Sequence, residues 1–525
     1  MSNKGHLRIT ANHYTLTKIH RNLLKNCLAL LGGAILPLAF APFDLAALAL
    51  LSIGLLFHSW QGAAPWQAFR RGYLFGLGQF GVGVSWVYIS LHDYGGASSF
   101  AAVVLTSVLV AFLACYPALA GAISARFFRT NPILRMIVVY PALWTLSEWV
   151  RGWFISGFPW LNVGYSQIDT PIAGFAPVIG VYGVGWLAAL SAGLILSLFY
   201  RPRWQAAGAG IVVTALWAGG AWLNQVEWSR PAGEPFKVTL LQGNIPQEIK
   251  WEPRHQRKTL KLYIDMTRQH WDSDLVIWPE TAVPAFYHQV EESFLLPLGE
   301  EASRHGTDLL IGTPLLEQPG ARYYNALISL GRTHGIYRKR HLVPFGEYLP
   351  LQPLSSFILD ILQIPLADFS AGNDRQPLLQ AAGFPLVASI CYEDAFGEEA
   401  LTGMPDGAYL VNVTNDAWFA DSIGPLQHFQ MARMRAVELR RYMLRATNTG
   451  VTGIISPFGD VVTRAPQFER TAITGEIVPM SGSTPYTGYG NRPLVIGLFI
   501  VLLVAWAATK RHRLTKRSNK VSGKY

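Results

Sequence analysis

The sequence predicts a bundle of eight membrane-spanning helices carrying one α/β layered domain. Three observations point there. Only 14% of the 525 residues are charged, against about 25% in soluble domains. Long apolar runs fill residues 1–225 and 493–509, whereas 235–490 reads as an ordinary globular domain. Within that domain, apolar strand-like runs alternate with polar, helix-like stretches, the pattern of layered α/β folds. The chain therefore divides into helices one to seven (1–225), a globular domain (235–490), an eighth helix (493–509) and a basic tail (510–525).

A spanning helix needs about 20 mostly apolar residues. Candidate spans lie near 26–42, 44–59, 72–91, 99–125, 134–150, 172–199, 206–224 and 493–509. The first two are short and separated only by the Pro42–Asp44 turn. The leader resembles a signal peptide, and Ala39-Phe40-Ala41 mimics a cleavage site. Pro42 directly follows and more spans come after it, so the first helix is expected to stay uncleaved.

The formal net charge of +10 raises nucleic acid as a partner, but its placement excludes it. Basic residues sit in the leader (Lys18, Arg21, Lys25), in short loops (Arg70/Arg71; Arg126/Arg129/Arg135; Arg201/Arg203) and in the tail KRHRLTKR, 510–517. With eight spans and the N-terminus inside, each of these segments falls on the cytoplasmic side, as the positive-inside rule requires. The loop 92–98 and the globular domain then lie outside, with both termini in the cytoplasm. Cys27 and Cys115 lie in apolar segments and Cys391 alone in the globular domain, so no disulfide framework is expected.

In the globular domain the run FKVTLLQGNI (236–245) is a strand and 252–270 a helix. DLVIWPE (274–280) is a strand with Glu280 at its end. A helix through EESFLLPLGEEASRHG, the strands TDLLIGTPL and YYNALISLG, and the segment GIYRKRHLVPFGEYLP with Lys339 follow. Then come FPLVASICYED with Cys391, the strand GAYLVNVTND, a helix-like stretch from about 424 to 446, and the strand pair VTGIISP and DVVTRAP. In such sheets chemistry gathers at strand ends and the loops after them. Glu280, Lys339 and Cys391 all occupy such places, on different segments.

Together they make a coherent chemical set. A thiol must become thiolate to attack, and a carboxylate in reach can take its proton. An ammonium nearby can stabilise the oxyanion of a tetrahedral intermediate. Taken singly, a Glu after Trp-Pro reads as a cap, a Lys in YRKRH as a solvated face, and a strand-end Cys as packing. Their joint occurrence in this order carries the argument.

Glu in WPE, Lys in YRKRHLVPFGE and Cys in CYED resemble the Glu-Lys-Cys triad of the nitrilase (carbon–nitrogen hydrolase) superfamily. Set between seven spans and an eighth, and with QGNIPQ, VPFGEYLP, NVTNDAWF and GPLQHFQMARMRA, nearly the whole chain is similar to the apolipoprotein N-acyltransferase family. The resemblance implies a nitrilase-like four-layer α-β-β-α sandwich on a membrane bundle. It implies Glu280 as base, Lys339 as oxyanion stabiliser and Cys391 as nucleophile, with Glu347 and Glu393 as supporting acids. Trp251, Tyr392 and Trp418 match aromatic positions at the site.

It further implies transfer of an acyl chain from a phospholipid, commonly phosphatidylethanolamine, through a Cys391 thioester to the α-amine of a diacylglyceryl-cysteine on an apolipoprotein. The place would be the bacterial inner membrane, with a periplasmic catalytic domain and ping-pong kinetics. Holding the site against lipid has a physical reason: moving a 16-carbon chain into water would cost on the order of 12 kcal/mol, at about 0.8 kcal/mol per methylene. Residues 351–372 are too apolar for an ordinary surface loop and read as an arm toward lipid, or as a loop packed on the sheet. Glu148 and Arg151 stand at helical spacing by the outer face, as an ion pair or a headgroup contact.

No Walker, Rossmann or zinc pattern occurs, so no cofactor or metal is expected. His428 reads as a packed, hydrogen-bonded helix residue, and the glycines of GVYGVGW (180–186) as helix packing. Two rival functions remain open: a membrane-tethered amidase that hydrolyses its thioester, and a transporter or scaffold with a degenerate outer domain. The intact triad and the lack of an intramembrane carboxylate relay speak against the second.

Overall fold

The computed structural model describes residues 4–129, 131–200, 203–317, 322–349 and 369–522. Most of the apolar segment 351–372 therefore lies outside the described residues.

Helices occur at every predicted span, but they are unequal. Among the described residues, five are long and apolar enough to cross a membrane: Ile19–Ala39, Ser99–Phe127, Pro132–Arg151, Pro171–Tyr200 and Arg492–Arg511. A sixth, Pro65–Gly83 continued by Val87–Tyr94, bends by 61°. Ala47–Trp60 and Ala207–Leu223 are shorter apolar helices. Close packing substitutes for a hydrophobic driving force that lipid does not supply. A Cβ on Gly72 would lie 2.3 Å from the Pro117 carbonyl oxygen, so glycine is what lets Pro65–Gly83 meet Ser99–Phe127 backbone to backbone.

The globular domain is built on two six-stranded sheets. One runs, edge to edge, Val461–Arg464, Gly453–Ile455, Met443–Thr447, Tyr409–Thr414, Phe384–Ile390 and Leu379–Ala381. The other runs Thr471–Ile477, Phe236–Gln242, Leu275–Ile277, Asp308–Glu317, Arg322–Leu330 and Gly335–Arg338. Val238, Leu240, Ile277 and Leu310 of the second pack against Ile390, Val411, Val413 and Leu444 of the first. Helices Pro253–Arg268 and Leu296–Arg304 cover the second sheet through Tyr263, Met266, Leu298 and Ala302. Helix Gly424–Leu439 covers the first through Phe429, Ala432 and Ala436. The layers are α-β-β-α.

Each sheet has three adjacent parallel strands in its interior, and one strand of each set leads to a candidate site residue. Leu275–Ile277 is parallel to both neighbours and leads to Glu280. In the other sheet Tyr409–Thr414 is the middle strand, and Phe384–Ile390, parallel to it, leads to Cys391. Lys339 follows the edge strand Gly335–Arg338, its N–H bonded to the Asn325 carbonyl at 2.8 Å.

One expectation fails locally. The helix starting at 424 does not reach 446: it ends at Leu439, Arg440 turns left-handed (φ 51°), and Met443–Thr447 is a strand. Pairing with Tyr409–Thr414 and full burial between sheet and helix override the local helical pattern.

The membrane helices and the sandwich share one core: Trp160 and Tyr165 pack in a cluster with Tyr392, Ala395, Met431, Met434 and Val437. Arg151 and Glu148 organise this junction rather than face lipid. They lie 3.8 Å apart and buried. The guanidinium donates to the carbonyls of Phe158 and Trp160, both at 2.5 Å, and to Asn162 Oδ1 at 2.6 Å. Glu148 accepts the Val163 N–H at 2.9 Å. A second joint is made by Glu438. Helix Ala176–Ser197 breaks at Gly180 (φ 66°), and the freed Val181 N–H donates to Glu438 Oε1 at 2.6 Å. Arg435 Nη1 stands 3.0 Å from the other carboxylate oxygen.

Glu438→Ala orphans both the Val181 N–H and a buried guanidinium, and removing one partner of a buried pair costs about 3–5 kcal/mol. The variant is expected to lose several degrees of thermal midpoint in detergent, whereas the exposed Lys261→Ala is expected to change it by less than a degree.

Candidate active site

Phe384–Ile390 ends where Cys391 takes a left-handed backbone, φ 53°, and starts the short turn Cys391–Ala395. Such a conformation is uncommon for a side-chain-bearing residue and marks sites that the surroundings over-determine. Asn412 Nδ2 donates to the Cys391 carbonyl at 3.2 Å. The thiol is half-buried. Burial pushes it well above the usual thiol range, the Glu280 charge adds to this, and the Lys339 ammonium opposes it. The thiol thus rests protonated, facing both other triad members.

Glu280 is buried and accepts a hydrogen bond from Asn325 Nδ2 at 2.6 Å. Burial raises its carboxyl; Lys339 and Lys250 pull it back, while Glu347 raises it further. Lys339 is 1% exposed and lies 2.8–2.9 Å from the two Glu347 oxygens. Burial alone would lower the ammonium, but Glu347, the thiol position and Glu280 hold it well above the usual lysine range. The structure therefore gathers Glu280, Lys339, Glu347 and Cys391 into one charge-coupled group.

Glu393 does something different from Glu347. Its Oε1 accepts the Arg340 N–H at 2.6 Å and the His341 N–H at 3.2 Å, and its Oε2 accepts the Ile390 N–H at 2.6 Å. Tyr337 OH lies 3.0–3.1 Å from both oxygens. One carboxylate thus ties the segment around Lys339 to the residue before Cys391. Burial first, then the neighbouring Glu399, pushes it up to about 7, against these N–H donors. Tyr392 points away from the thiol into the membrane junction, its OH 3.2 Å from the Gly157 carbonyl oxygen and its ring against Trp160. Trp251 and Trp418 are exposed, and Trp418 sits edge-on to Tyr94 of the membrane part.

Two family models match this chain: "Apolipoprotein N-acyltransferase N-terminal domain" over residues 32–194 and "Carbon-nitrogen hydrolase" over 237–486. A protein from Methylococcus capsulatus named apolipoprotein N-acyltransferase is 58% identical over 468 residues, covering 89% of this chain and 93% of its own. The chain belongs to the apolipoprotein N-acyltransferase family. Proteins of the same name from Nitrosomonas europaea (45% identical, 89% of this chain and 93% of that one) and Pseudomonas syringae pv. tomato (42%, 92% and 96%) are similar along the same length.

Sequence reasoning missed three groups. Lys250 and Asn325 both touch the Glu280 segment, yet neither stands in a strand-end motif that would have drawn notice. The third is a buried charge cluster behind the turn Cys391–Ala395. His428 Nε2 lies 2.8 Å from Asp394 Oδ1 and its Nδ1 2.9 Å from Asp416 Oδ1. Arg445 donates to Asp394 at 2.6 Å, to Asp416 at 3.1 Å and to Asn412 Oδ1 at 2.5 Å. His428 is thus a hydrogen-bonded helix residue, as its sequence context predicts, but one held between two carboxylates. The visible signal was Asp394, three residues after the thiol. No group of three or more metal-ligating side chains is arranged to hold an ion among the described residues.

Burial and Arg445 each push the His428 imidazole down, but Asp394 and Asp416 outweigh them and hold it up at about 9. Its folded value is raised above the unfolded one of about 6.5, so the stability it supplies is complete below that pH and is lost as pH climbs through about 9. The thermal midpoint of wild type should therefore fall toward that of His428→Gln between pH 6.5 and 9.5; a gap constant across this range would contradict the assignment. Glu393→Gln replaces an acceptor with a donor that faces other donors. It is expected to fold but to slow alkylation and acylation of Cys391 by about 10²-fold, the scale of a 1 Å misplacement, as read by intact-protein mass.

Proposed function

We propose that this chain acylates the N-terminal amine of apolipoprotein cysteines, using a membrane phospholipid as donor and Cys391 as the acyl carrier. The observation that carries the reading is the convergence of Glu280, Lys339 and Cys391 from separate segments of both sheets onto one charge-coupled group. Family membership supports the reaction class, and the shared core with apolar helices supports a membrane-bound acyl donor.

On this reading Glu280 takes the thiol proton as sulfur attacks the ester carbonyl of the donor. Lys339 stabilises the oxyanion; one such donor is worth about 10²–10³ in rate. The intermediate collapses by breaking the ester C–O bond, and Glu280 returns the proton to the departing lysophospholipid oxygen. The α-amine then attacks the thioester, Glu280 takes a proton from the nitrogen and passes it to the departing sulfur as the C–S bond breaks, giving the amide, the free thiol and an ionised Glu280. One nucleophile serving two substrates in turn gives ping-pong kinetics. Phosphatidylethanolamine is the proposed donor. The eight-span topology, with a periplasmic domain over 235–490 and cytoplasmic termini, follows from the basic loops.

The rival reading, a tethered amidase, shares the triad and differs in the fate of the thioester. Wild type given phospholipid alone is expected to gain one acyl mass on Cys391 and hold it, since the thioester is shielded from water. Glu280→Gln, Lys339→Ala and Cys391→Ala are expected to gain none. Rapid return to free thiol with release of fatty acid would favour the amidase, and full acylation of Glu280→Gln would remove Glu280 as the base. Reporter fusions near Gly95 and Gln242 should score as periplasmic; a cytoplasmic score at Gln242 overturns the topology.

A further inference from the structure

The segment QEIKW (247–251) inverts the order expected of a surface loop: Lys250 is 3% exposed, while Trp251 beside it is 50% exposed. A lysine is almost never taken inside without partners. The partners of Lys250 Nζ are the Glu280 carbonyl oxygen at 3.2 Å and Thr281 Oγ1 at 2.5 Å. Thr281 has φ 46°, a left-handed conformation that a β-branched residue adopts only when held there. The ammonium therefore clamps the turn that aims Glu280.

It also completes a charge count. Glu347 pairs directly with Lys339 at 2.8 Å. Glu280 makes a neutral hydrogen bond to Asn325 and has no ion pair within 4.0 Å among the described residues. In a water-poor site a carboxylate without its own cation takes up a proton and cannot act as a base. The charges facing Glu280 are Lys339, Glu347 and Lys250; those facing Lys250 are Glu280 and the Cys391 position; those facing Cys391 are Glu280, Lys339 and Asp416.

We propose that Lys250 is a positioning residue of the reaction: its ammonium locks the Glu280–Thr281 turn against the nucleophile and keeps Glu280 ionised, ready to accept the thiol proton. Lys250 itself gains and loses nothing in the step; the proton passes from sulfur to Glu280 and on to the leaving oxygen. The inference rests on Glu280 being the base. Burial lowers Lys250 to about 8, although Glu280 and the thiol position oppose this, so the lock weakens in mildly alkaline solution.

The test follows acyl-enzyme formation on the full-length protein in detergent with phosphatidylethanolamine, by intact mass, from pH 5.5 to 9.5. Lys250→Met is expected to slow acylation about 10²-fold at pH 7 and to move the acid limb of the profile upward by about one pH unit, because Glu280 has lost a cation. Wild type is expected to lose rate above pH 8, and Lys250→Arg to restore most of the rate at pH 7 and to remove that fall. A uniform slowing with unmoved limbs, or an unchanged rate, in Lys250→Met overturns the proposal. If Lys250→Met does not assemble, retention of the alkaline fall in Lys250→Arg overturns it instead. Glu280→Gln in the same assay separates the two readings: acylation at the wild-type rate there removes the base and the lock together. An inactive Glu280→Gln beside an unaffected Lys250→Met removes only the lock.

Discussion

The arrangement of the reactive end depends on one buried carboxylate. Glu393 accepts hydrogen bonds from the backbone before Cys391 and from the backbone after Lys339. Cys391 belongs to one sheet and Lys339 to the edge of the other, and the apolar packing between two sheets tolerates small sliding. Directed hydrogen bonds to a single rigid group do not. The same bonds hold Cys391 in its left-handed conformation, since Ile390 N–H and the turn Cys391–Ala395 close on the side chain of their own third residue. A local element of the Cys391–Ala395 turn is thereby also the long-range gauge for the ammonium.

The membrane junction follows the same principle at larger scale. Apolar contacts through Trp160, Tyr392 and Met431 supply area, while the direction comes from a few buried polar bonds. Trp160 Nε1 donates to Gln427 at 2.6 Å, and Val181 N–H donates to Glu438. Both acceptors lie on Gly424–Leu439, the helix that also presents His428 to Asp394 behind the thiol. That helix touches the bundle on one side and the Cys391–Ala395 turn on the other. On the proposed reading, in which the donor comes from the bilayer, such a joint keeps the site at the lipid face where its substrate lies.

Much of this was legible in the sequence, for reasons that particular residues show. Strand ends announce themselves when an apolar run stops at a reactive side chain, so Glu280, Lys339 and Cys391 stood out and the structure brings them together. Alternation pointed to a layered α/β domain, and the α-β-β-α order came from the family resemblance. Two things were hidden. Met443–Thr447 carried a helical pattern that long-range pairing with Tyr409–Thr414 overrode. Lys250 and Arg445 drew no notice, and His428 read as a packed, hydrogen-bonded residue with no sign of its two carboxylates, because burial of a charge is decided by distant partners such as Asp394 and Thr281 that no local pattern reveals. The span count sits between: composition located every helix, but length and the 61° bend after Gly83 depend on packing.

The resting state has its own logic. Two carboxylates, Glu280 and Glu347, stand among two ammonium groups, Lys339 and Lys250, a set that on the proposed reading balances while the thiol is neutral. On the proposed reading, moving the thiol proton to Glu280 transfers the negative charge to sulfur without changing that total. The oxyanion then takes the same charge beside Lys339. Each step relocates one charge within a fixed set of cations, and none asks the surroundings to create or discharge an isolated ion, which is the costly event in a water-poor site. A protonated cysteine at rest is therefore a property of the design. A permanent thiolate facing Glu280 would repel it, whereas a thiol that ionises only as substrate carbon accepts its electrons keeps the cluster neutral throughout.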